Sequence, residues 1–136
     1  MIVVMLSAPF KGLSETELTM LQLDLRFTSQ RLWRLGVACI CPHLNTDGFP
    51  DDPRENYLSG YEEIARRCDV VLAAWGLQSE GVMREVAAAR HAFTSIPALM
   101  EWLMQINERN KKEVRDDDTK GLCKSGKPSA RLHQEI

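Results

Sequence analysis

The chain has 136 residues, of which 44% are hydrophobic, and its formal net charge is -2. This length and apolar content fit one domain with a single core and argue against two full domains. The lack of net positive charge argues against polymeric DNA or RNA as the ligand, because Lys and Arg supply most of the affinity for a phosphate backbone. A small nucleotide stays open as a ligand.

The apolar segments and the cysteines indicate where the protein resides. No stretch approaches the roughly 20 apolar residues of a membrane span, and residues 1–6 lack the pattern of a secretory signal. We therefore expect a cytoplasmic protein with no membrane partner. The four cysteines, Cys39, Cys41, Cys68 and Cys123, form no Cys-x-x-Cys pair. We expect reduced, packed thiols rather than a metal site, with Cys39 and Cys41 on one face of a strand.

The first third of the chain predicts a strand, a long helix and a second strand. Residues 2–6 are apolar and β-branched, and a polar loop follows them. Ser14 and Glu17 form a capping box for a helix with an apolar stripe that runs to a glycine. The stripe consists of Leu18, Leu21, Leu25, Leu32 and Leu35. Residues 37–41 predict a buried second strand, which Pro42 ends.

The middle of the chain continues the alternation of strands and helices. Residues 42–53 form a long loop rich in turn formers, which hints at function. A second helix is predicted over residues 54–67, followed by a third strand over residues 70–74. The inner side of this helix carries Tyr57, Leu58, Tyr61 and Ile64. The pattern predicts an α/β fold with three layers and a parallel sheet of four to five strands, similar to flavodoxin or Rossmann domains.

The segment after the third strand carries an unusual carboxylate, Glu85. A helix that starts near Gly81 places Glu85 at the edge of an apolar arc. The arc consists of Val82, Val86, Ala89 and Phe93. A buried ionised carboxylate is tolerated only when it is paired, hydrogen-bonded or protonated, so Glu85 is a candidate for chemistry. The alternative is a structural glutamate that interacts with the helix dipole and extends to water.

The C-terminal part of the chain allows two interpretations. Residues 95–99 are either a fourth strand or the capped start of another helix, which extends to about residue 110 in both cases. Residues 111–136 are polar and are expected to form a flexible tail. The single domain would then cover residues 1–110.

The predicted sheet brings three loops together. Ligands of open parallel sheets bind outside the carboxyl ends of the strands, so residues 7–12, 41–46 and 75–81 should surround one crevice. Ser79 and Gly81 lie at a helix start, where free backbone amides attract an anion such as a phosphate. Every helix start has this property, so the alternative is an ordinary capped turn.

Five further residues of the crevice or its strands have both a functional and a structural interpretation. His43 is either an acid/base or substrate donor, or the donor of a loop hydrogen bond. Asn45 and Thr46 either bind a ligand hydroxyl or shape a turn. Asp69 either lines the crevice or caps a backbone amide, and Trp75 either stacks on a base or belongs to the core. The patterns GxGxxG, P-loop, GxSxG and HExxH are absent from the sequence, which leaves carboxylate chemistry.

Three stretches carry a resemblance to a known family. They are Leu-Ser-Ala-Pro-Phe-Lys-Gly at residues 6–12, Ile-Cys-Pro-His-Leu-Asn-Thr at residues 40–46, and residues 69–89 with Ser-Glu-Gly-Val-Met-Arg-Glu at residues 79–85. Together they resemble the nucleoside 2-deoxyribosyltransferase-like superfamily, most closely its small phage and bacterial branch, the domain-of-unknown-function 4406 type. The resemblance spans residues 2–99 and implies the same α/β fold.

The resemblance also implies roles for individual residues. Glu85 would be the nucleophile that attacks the anomeric carbon of a deoxyribose and releases the base, without a cofactor or metal. Asp69 would assist Glu85 at the catalytic site and, with Phe10, hold the base or sugar, while Ser79 and Gly81 would lie against a phosphate or the 5' end. The remaining substrate-binding candidates are Ser7, Pro9, His43, Asn45, Thr46 and Trp75.

Two departures from the family pattern bear on the reaction. Active transferases usually carry an acidic residue and Ser-Gly-Thr before the nucleophile, where this chain has Ser-Glu-Gly-Val at residues 79–82, and Ala8 replaces the usual turn glycine. In lacking this acid, the chain resembles the family members that hydrolyse nucleoside monophosphates. The resemblance therefore implies an N-glycosidase or deoxyribosyltransferase-like activity on a small nucleoside or nucleoside 5'-monophosphate.

Three further expectations accompany this reading. A non-catalytic module of the same fold, which senses or sequesters a nucleotide, is the alternative, with Glu85 accepting a ribose hydroxyl. A glutamate-dependent NAD glycohydrolase is a third hypothesis. Family members often complete their sites across a dimer, and the apolar residues around Phe49 and Tyr57 are candidates for such an interface.

Overall fold

The computed structural model describes residues 1–50 and 52–120, and its centre is a sheet of four parallel strands. The strands are β1 (Val3–Leu6), β2 (Ala38–Ile40), β3 (Val70–Leu72) and β4 (Ala92–Phe93). Their order in the sheet is β2-β1-β3-β4, and every neighbouring pair is parallel. The predicted α/β fold with a parallel sheet is confirmed.

Helices connect the strands, because parallel neighbours need a crossover. In the described part of the chain the connecting helices are α1 (Glu15–Arg34), α2 (Pro42–Asn45), α3 (Arg54–Arg67) and α4 (Glu80–Ala88), and α5 (Ile96–Lys120) follows the last strand. None of the described helices is long and apolar enough to cross a membrane.

The sheet is buried on both faces, which gives the three layers. Along β1, Val4 and Leu6 pack on one side and Met5 on the other, as the alternation of a strand requires. The first side meets α1 and α5 through Leu25, Leu32 and Leu99. The second side meets α3 and α4 through Ala65, Val82 and Val86.

Helix α1 begins as the sequence predicts. The Ser14 hydroxyl accepts a hydrogen bond from the backbone N–H of Glu17, whose carboxylate accepts one from the backbone N–H of Ser14. Leu25 and Leu32 of the predicted stripe are fully buried. Leu35 lies just beyond the last helical residue and is exposed, because the chain has already turned toward β2 there.

The cysteines of the described residues are packed free thiols. Cys39 and Cys68 are buried, and Cys41 packs against the same apolar cluster as Cys39. The two cysteines pack on the same side, as expected, but Cys41 lies one residue beyond β2 and not in the strand. Burial raises the pKa of all three thiols, which disfavours the reactive thiolate.

The C-terminal half differs from the prediction in two places. Helix α4 ends at Ala88, so Phe93 lies in β4 and not on the helix face with Glu85. The strand alternative for residues 95–99 is wrong, because α5 begins at Ile96 and the fourth strand comes earlier. A strand of two residues is too short to show the alternation from which strands are predicted.

Helix α5 also extends further than the sequence suggested. It continues beyond residue 110 to Lys120, so residues 111–120 are helical. Glu108 precedes Lys112 by four residues, a spacing that stabilises an exposed helix. The remainder of the expected tail, residues 121–136 with Cys123, lies outside the described residues.

An ion-pair cluster joins α3 to α4. The guanidinium of Arg84 on α4 donates to Glu55 at 3.0 Å and to Glu62 at 2.9 Å, both on α3. We expect Arg84→Met to lower the urea midpoint of unfolding, because two carboxylates lose their shared partner. The matched control is Arg66→Met, whose partner Glu63 lies on the same helix. Equal midpoints for the two variants would show that the cluster does not join the helices.

Candidate active site

From β1, the chain adds β2 on one side of the sheet and then β3 and β4 on the other, so the direction of winding reverses between β1 and β3. A cleft of about 780 Å³ opens near the carboxyl ends of these two strands. Doubly wound sheets bind ligands at this reversal point. All three loops that the sequence predicts for the crevice contribute to the lining, together with α3. The predicted site residues that line the cleft are Pro9, Phe10, His43, Thr46, Ser79 and Gly81.

Glu85 lies behind the wall of this cleft, with only 1% of its surface exposed. The hydroxyl of Ser79 accepts the N–H of Val82 at 3.1 Å and fixes the start of α4. Side chains on a helix lean toward its N-terminus, so Glu85 reaches back toward the end of β1. There its Oε2 accepts a hydrogen bond from the hydroxyl of Ser7 at 3.0 Å.

Gly81, which lines the cleft, lies one helical turn before Glu85. A Cβ atom at Gly81 would lie 3.4 Å from the Cδ2 of Leu58 and 3.9 Å from the Oε2 of Glu85, both ordinary contact distances. The carboxylate of Glu85 therefore lies close to this part of the cleft wall.

The second carboxylate oxygen of Glu85 faces His43. Its Oε1 lies 3.9 Å from the Nδ1 of His43, which is too long for a hydrogen bond. Among the described residues, neither atom has a hydrogen-bond partner, although both are buried. Such unpaired groups are rare in folded proteins, and a catalytic role is one of the recognised explanations for them.

Burial changes the protonation of both residues. It raises the pKa of Glu85 to about 7, although the hydrogen bond from Ser7 opposes the change. It lowers the pKa of His43 to about 4. Both shifts favour the uncharged form, because a low-dielectric environment disfavours charge. Between pH 4 and 7 the two side chains are therefore neutral, and their contact is not an ion pair.

Three rings, which we call the aromatic cover, separate Glu85 from the cleft. The imidazole of His43 stacks on Phe10 with ring centres 4.8 Å apart and planes inclined by 8°. Its other neighbour is Tyr61, at 4.3 Å. The hydroxyl of Tyr61 is hydrogen-bonded to the hydroxyl of Thr46. The cover consists of Phe10, His43 and Tyr61, which come from three separate segments of the chain.

Several residues of the cleft were not predicted from the sequence. Tyr57 and Tyr61 were predicted on the inner side of α3 but not as part of the site. Two hydroxyl-bearing rings one turn apart, on the helix that follows the long loop, were the available signal. Lys11 and Arg54 also line the cleft and supply positive charge, although Arg54 lies 3.4 Å from Glu80.

The structure does not bring Asp69, Trp75 or Asn45 to the cleft. Asp69 precedes β3 at the amino edge of the sheet, where its carboxylate accepts the N–H of Val3 at 2.8 Å. The prediction that Asp69 lies beside Glu85 is therefore wrong, because Glu85 lies near the carboxyl ends of the strands. Trp75 packs on the side of α1 and donates its indole N–H to Asp24. Asn45 is exposed at the end of α2.

Ser7 has a different role from the predicted one. Its side chain is fully buried and its hydroxyl is directed to Glu85 rather than into the cleft. We expect Ser7→Ala to raise the pKa of Glu85 further, by roughly 1, because a hydrogen bond to a charged group contributes about 1.5 kcal/mol. Carboxyl ¹³C NMR of the Glu85 side chain as a function of pH measures this pKa.

The control for this titration is Ser59→Ala, whose hydroxyl donates to the exposed Glu55. That change should leave the pKa of Glu85 as it is. An unchanged pKa in Ser7→Ala would mean that the hydroxyl does not stabilise the carboxylate.

Within residues 1–50 and 52–120, no three His, Cys, Asp or Glu side chains form a group that could hold a metal ion. No protein-family model matches the chain, and no curated protein is significantly similar to it in sequence. The candidate site rests on its geometry and protonation.

Proposed function

We propose that the protein is an N-glycosidase or deoxyribosyltransferase-like enzyme that cleaves the N-glycosidic bond of a small nucleoside or nucleoside 5'-monophosphate. The observation that carries this proposal is the buried carboxylate of Glu85. One of its oxygens accepts a hydrogen bond from Ser7, and the other is unpaired beside the cleft. A carboxylate that is oriented and partly desolvated in this way is suited to covalent catalysis.

The proposed reaction begins with attack of the Glu85 Oε1 on the anomeric carbon of the sugar. The new carbon–oxygen bond forms as the bond to the base breaks, and its electron pair passes to the base nitrogen, which takes up a proton from water. Water then hydrolyses the glycosyl ester and regenerates the carboxylate; a second base in its place would give transfer. A pKa of about 7 leaves a substantial fraction of Glu85 ionised at neutral pH.

The lining of the cleft supports a nucleotide as the ligand. Phe10, Phe49 and Tyr57 supply flat apolar surfaces on which a base can stack. Lys11 and Arg54 supply positive charge for an anionic 5' group, near the start of α4. In this proposal the enzyme needs no cofactor and works in the cytoplasm.

The aromatic cover favours a second candidate function. Because Glu85 is buried behind His43, a ligand that leaves the cover in place would contact the rings and not the carboxylate. The protein would then be a nucleotide-binding module that senses or sequesters its ligand. Catalysis, in contrast, requires the ring of His43 to move away from Oε1.

One experiment distinguishes the two functions. The protein and its Glu85→Gln variant are incubated with deoxynucleosides, their 5'-monophosphates and NAD, and free base is measured by chromatography. Release by the parent alone supports the glycosidase and identifies its substrate class, with nicotinamide release indicating an NAD glycohydrolase. No release, together with a higher Tm in the presence of one compound, supports the binding module.

A further inference from the structure

Helix α1 has a second apolar face, which points away from the sheet. Its members are Met20, Leu23, Phe27 and Trp33, and we call them the outer face of α1. All four are more than half exposed, Phe27 at 61%. Leu23, Phe27 and Trp33 line a shallow surface hollow of about 560 Å³, together with the polar side chains of Arg26, Ser29 and Gln30. Single exposed apolar residues are common, but a cluster of them on one helix indicates an interaction surface.

The neighbouring strand indicates how a partner would not bind. β2 is an edge strand, and an open edge normally invites strand addition. On the side of the sheet, Cys39 of β2 lies beside Val4 of β1. Its carbonyl accepts a hydrogen bond from the indole N–H of Trp33 at 3.2 Å. This contact occupies an acceptor in the middle of a three-residue strand. An added strand would have to displace this contact, which favours the helix face beside β2 over the strand edge as a docking surface.

The charges along α1 indicate which partner fits. Glu15 lies in its first turn and Arg34 in its last turn. If two copies of α1 pack antiparallel about a twofold axis near the middle of the helix, each Arg34 lies opposite the Glu15 of the other copy. The same arrangement places Leu23 against Phe27 in the centre. A parallel arrangement would instead place like charges together.

We propose that the outer face of α1 is the surface through which two copies of this chain associate, with the α1 helices antiparallel. An isologous twofold contact uses the same patch on both copies, and this patch has the complementary ends that such a contact needs. The proposal differs from the expected interface around Phe49 and Tyr57, because both of these residues line the cleft. It does not depend on the proposed reaction.

The test is the mass of the full chain in solution, measured by sedimentation equilibrium from low to high micromolar concentration. We expect a mass that approaches twice the 15.4 kDa of the chain. Phe27→Asp should be monomeric over the same range, because it places charge in the centre of the contact. The matched control Phe49→Asp, at a similarly exposed phenylalanine, should still dimerise. Circular dichroism verifies that both variants are folded.

Charge reversal tests the antiparallel arrangement. Arg34→Glu should weaken association at least about tenfold, since it opposes two carboxylates in each of two places. Adding Glu15→Arg to the same chain should restore it, because each copy then carries the reversed pair. A monomeric parent chain, a dimer that Phe49→Asp dissociates and Phe27→Asp does not, or a double reversal that fails to restore association would each overturn the proposal.

Discussion

Glu85→Gln is expected to lower kcat for base release by a factor of about 10³ or more. The amide has nearly the same volume and still accepts the hydrogen bond from Ser7, but it cannot form the glycosyl ester. KM should change little, because the side chain lies behind the aromatic cover and not in the cleft lining. The measurement is a steady-state rate of base release on the substrate that the panel identifies.

The control for this substitution is Glu80→Gln on the same helix. Glu80 is exposed and contributes to the rim of the cleft, so its loss should alter kcat much less than the loss of Glu85. For the parent protein, the proposed mechanism predicts that kcat/KM rises about tenfold per pH unit below pH 7 and levels off above it, because Glu85 must be ionised to attack. Glu85→Gln activity close to that of the parent would exclude Glu85 as the nucleophile.

The second large effect concerns the free energy of unfolding as a function of pH. The pKa of Glu85 is about 7 in the folded protein against an ordinary value of 4.5, so its contribution is most favourable below pH 4.5 and is lost as the pH rises to 7. The pKa of His43 is about 4 against an ordinary 6.5, so its contribution is present above pH 6.5 and is lost as the pH falls to 4. Each change amounts to about 3 kcal/mol.

These two contributions oppose each other and nearly cancel in the parent protein. Between pH 4.5 and 6.5 the folded pair carries one proton, on Glu85, and the unfolded pair also carries one, on His43. Folding therefore moves a proton from one residue to the other without exchanging it with the solvent. Substituting one residue of the pair should reveal how the free energy of unfolding depends on pH through the other residue alone.

The test compares urea unfolding of three proteins between pH 4 and 7.5. Relative to the parent, Glu85→Gln should lose about 3 kcal/mol as the pH falls from 6.5 to 4, because only the histidine effect is left. His43→Phe keeps a ring between Phe10 and Tyr61 and should lose a similar amount as the pH rises from 4.5 to 7. Parallel curves for all three proteins would mean that neither group is shifted as described.

The sequence predicted the features that depend on neighbours along the chain. The capping box of Ser14 and Glu17, the helix at residues 54–67 and the burial of Glu85 beside Val82 and Val86 all follow from local spacing and proved correct. The aromatic cover could not be predicted in this way, because its rings come from three segments that meet only after the sheet forms. The hydrogen bond from Ser7 to Glu85 joins residues 78 positions apart and depends on the same packing.

Asp69 shows how position along the chain can mislead. In sequence it lies close to the loop that leads to Glu85, and both residues are acidic. A buried strand separates them, however, and a residue before a strand lies at the opposite edge of the sheet from a residue after it. The distinction becomes visible only when the strand direction is known.

The ion pairs of Arg84 have a consequence for how the protein should be handled. Helix α3 carries Tyr57 and Tyr61, helix α4 carries Glu85, and Arg84 connects the two helices through Glu55 and Glu62. These pairs are partly exposed to solvent and are therefore weakened by added salt. We therefore expect added salt to weaken the contact between the two helices, so ligand affinities should be compared at one ionic strength.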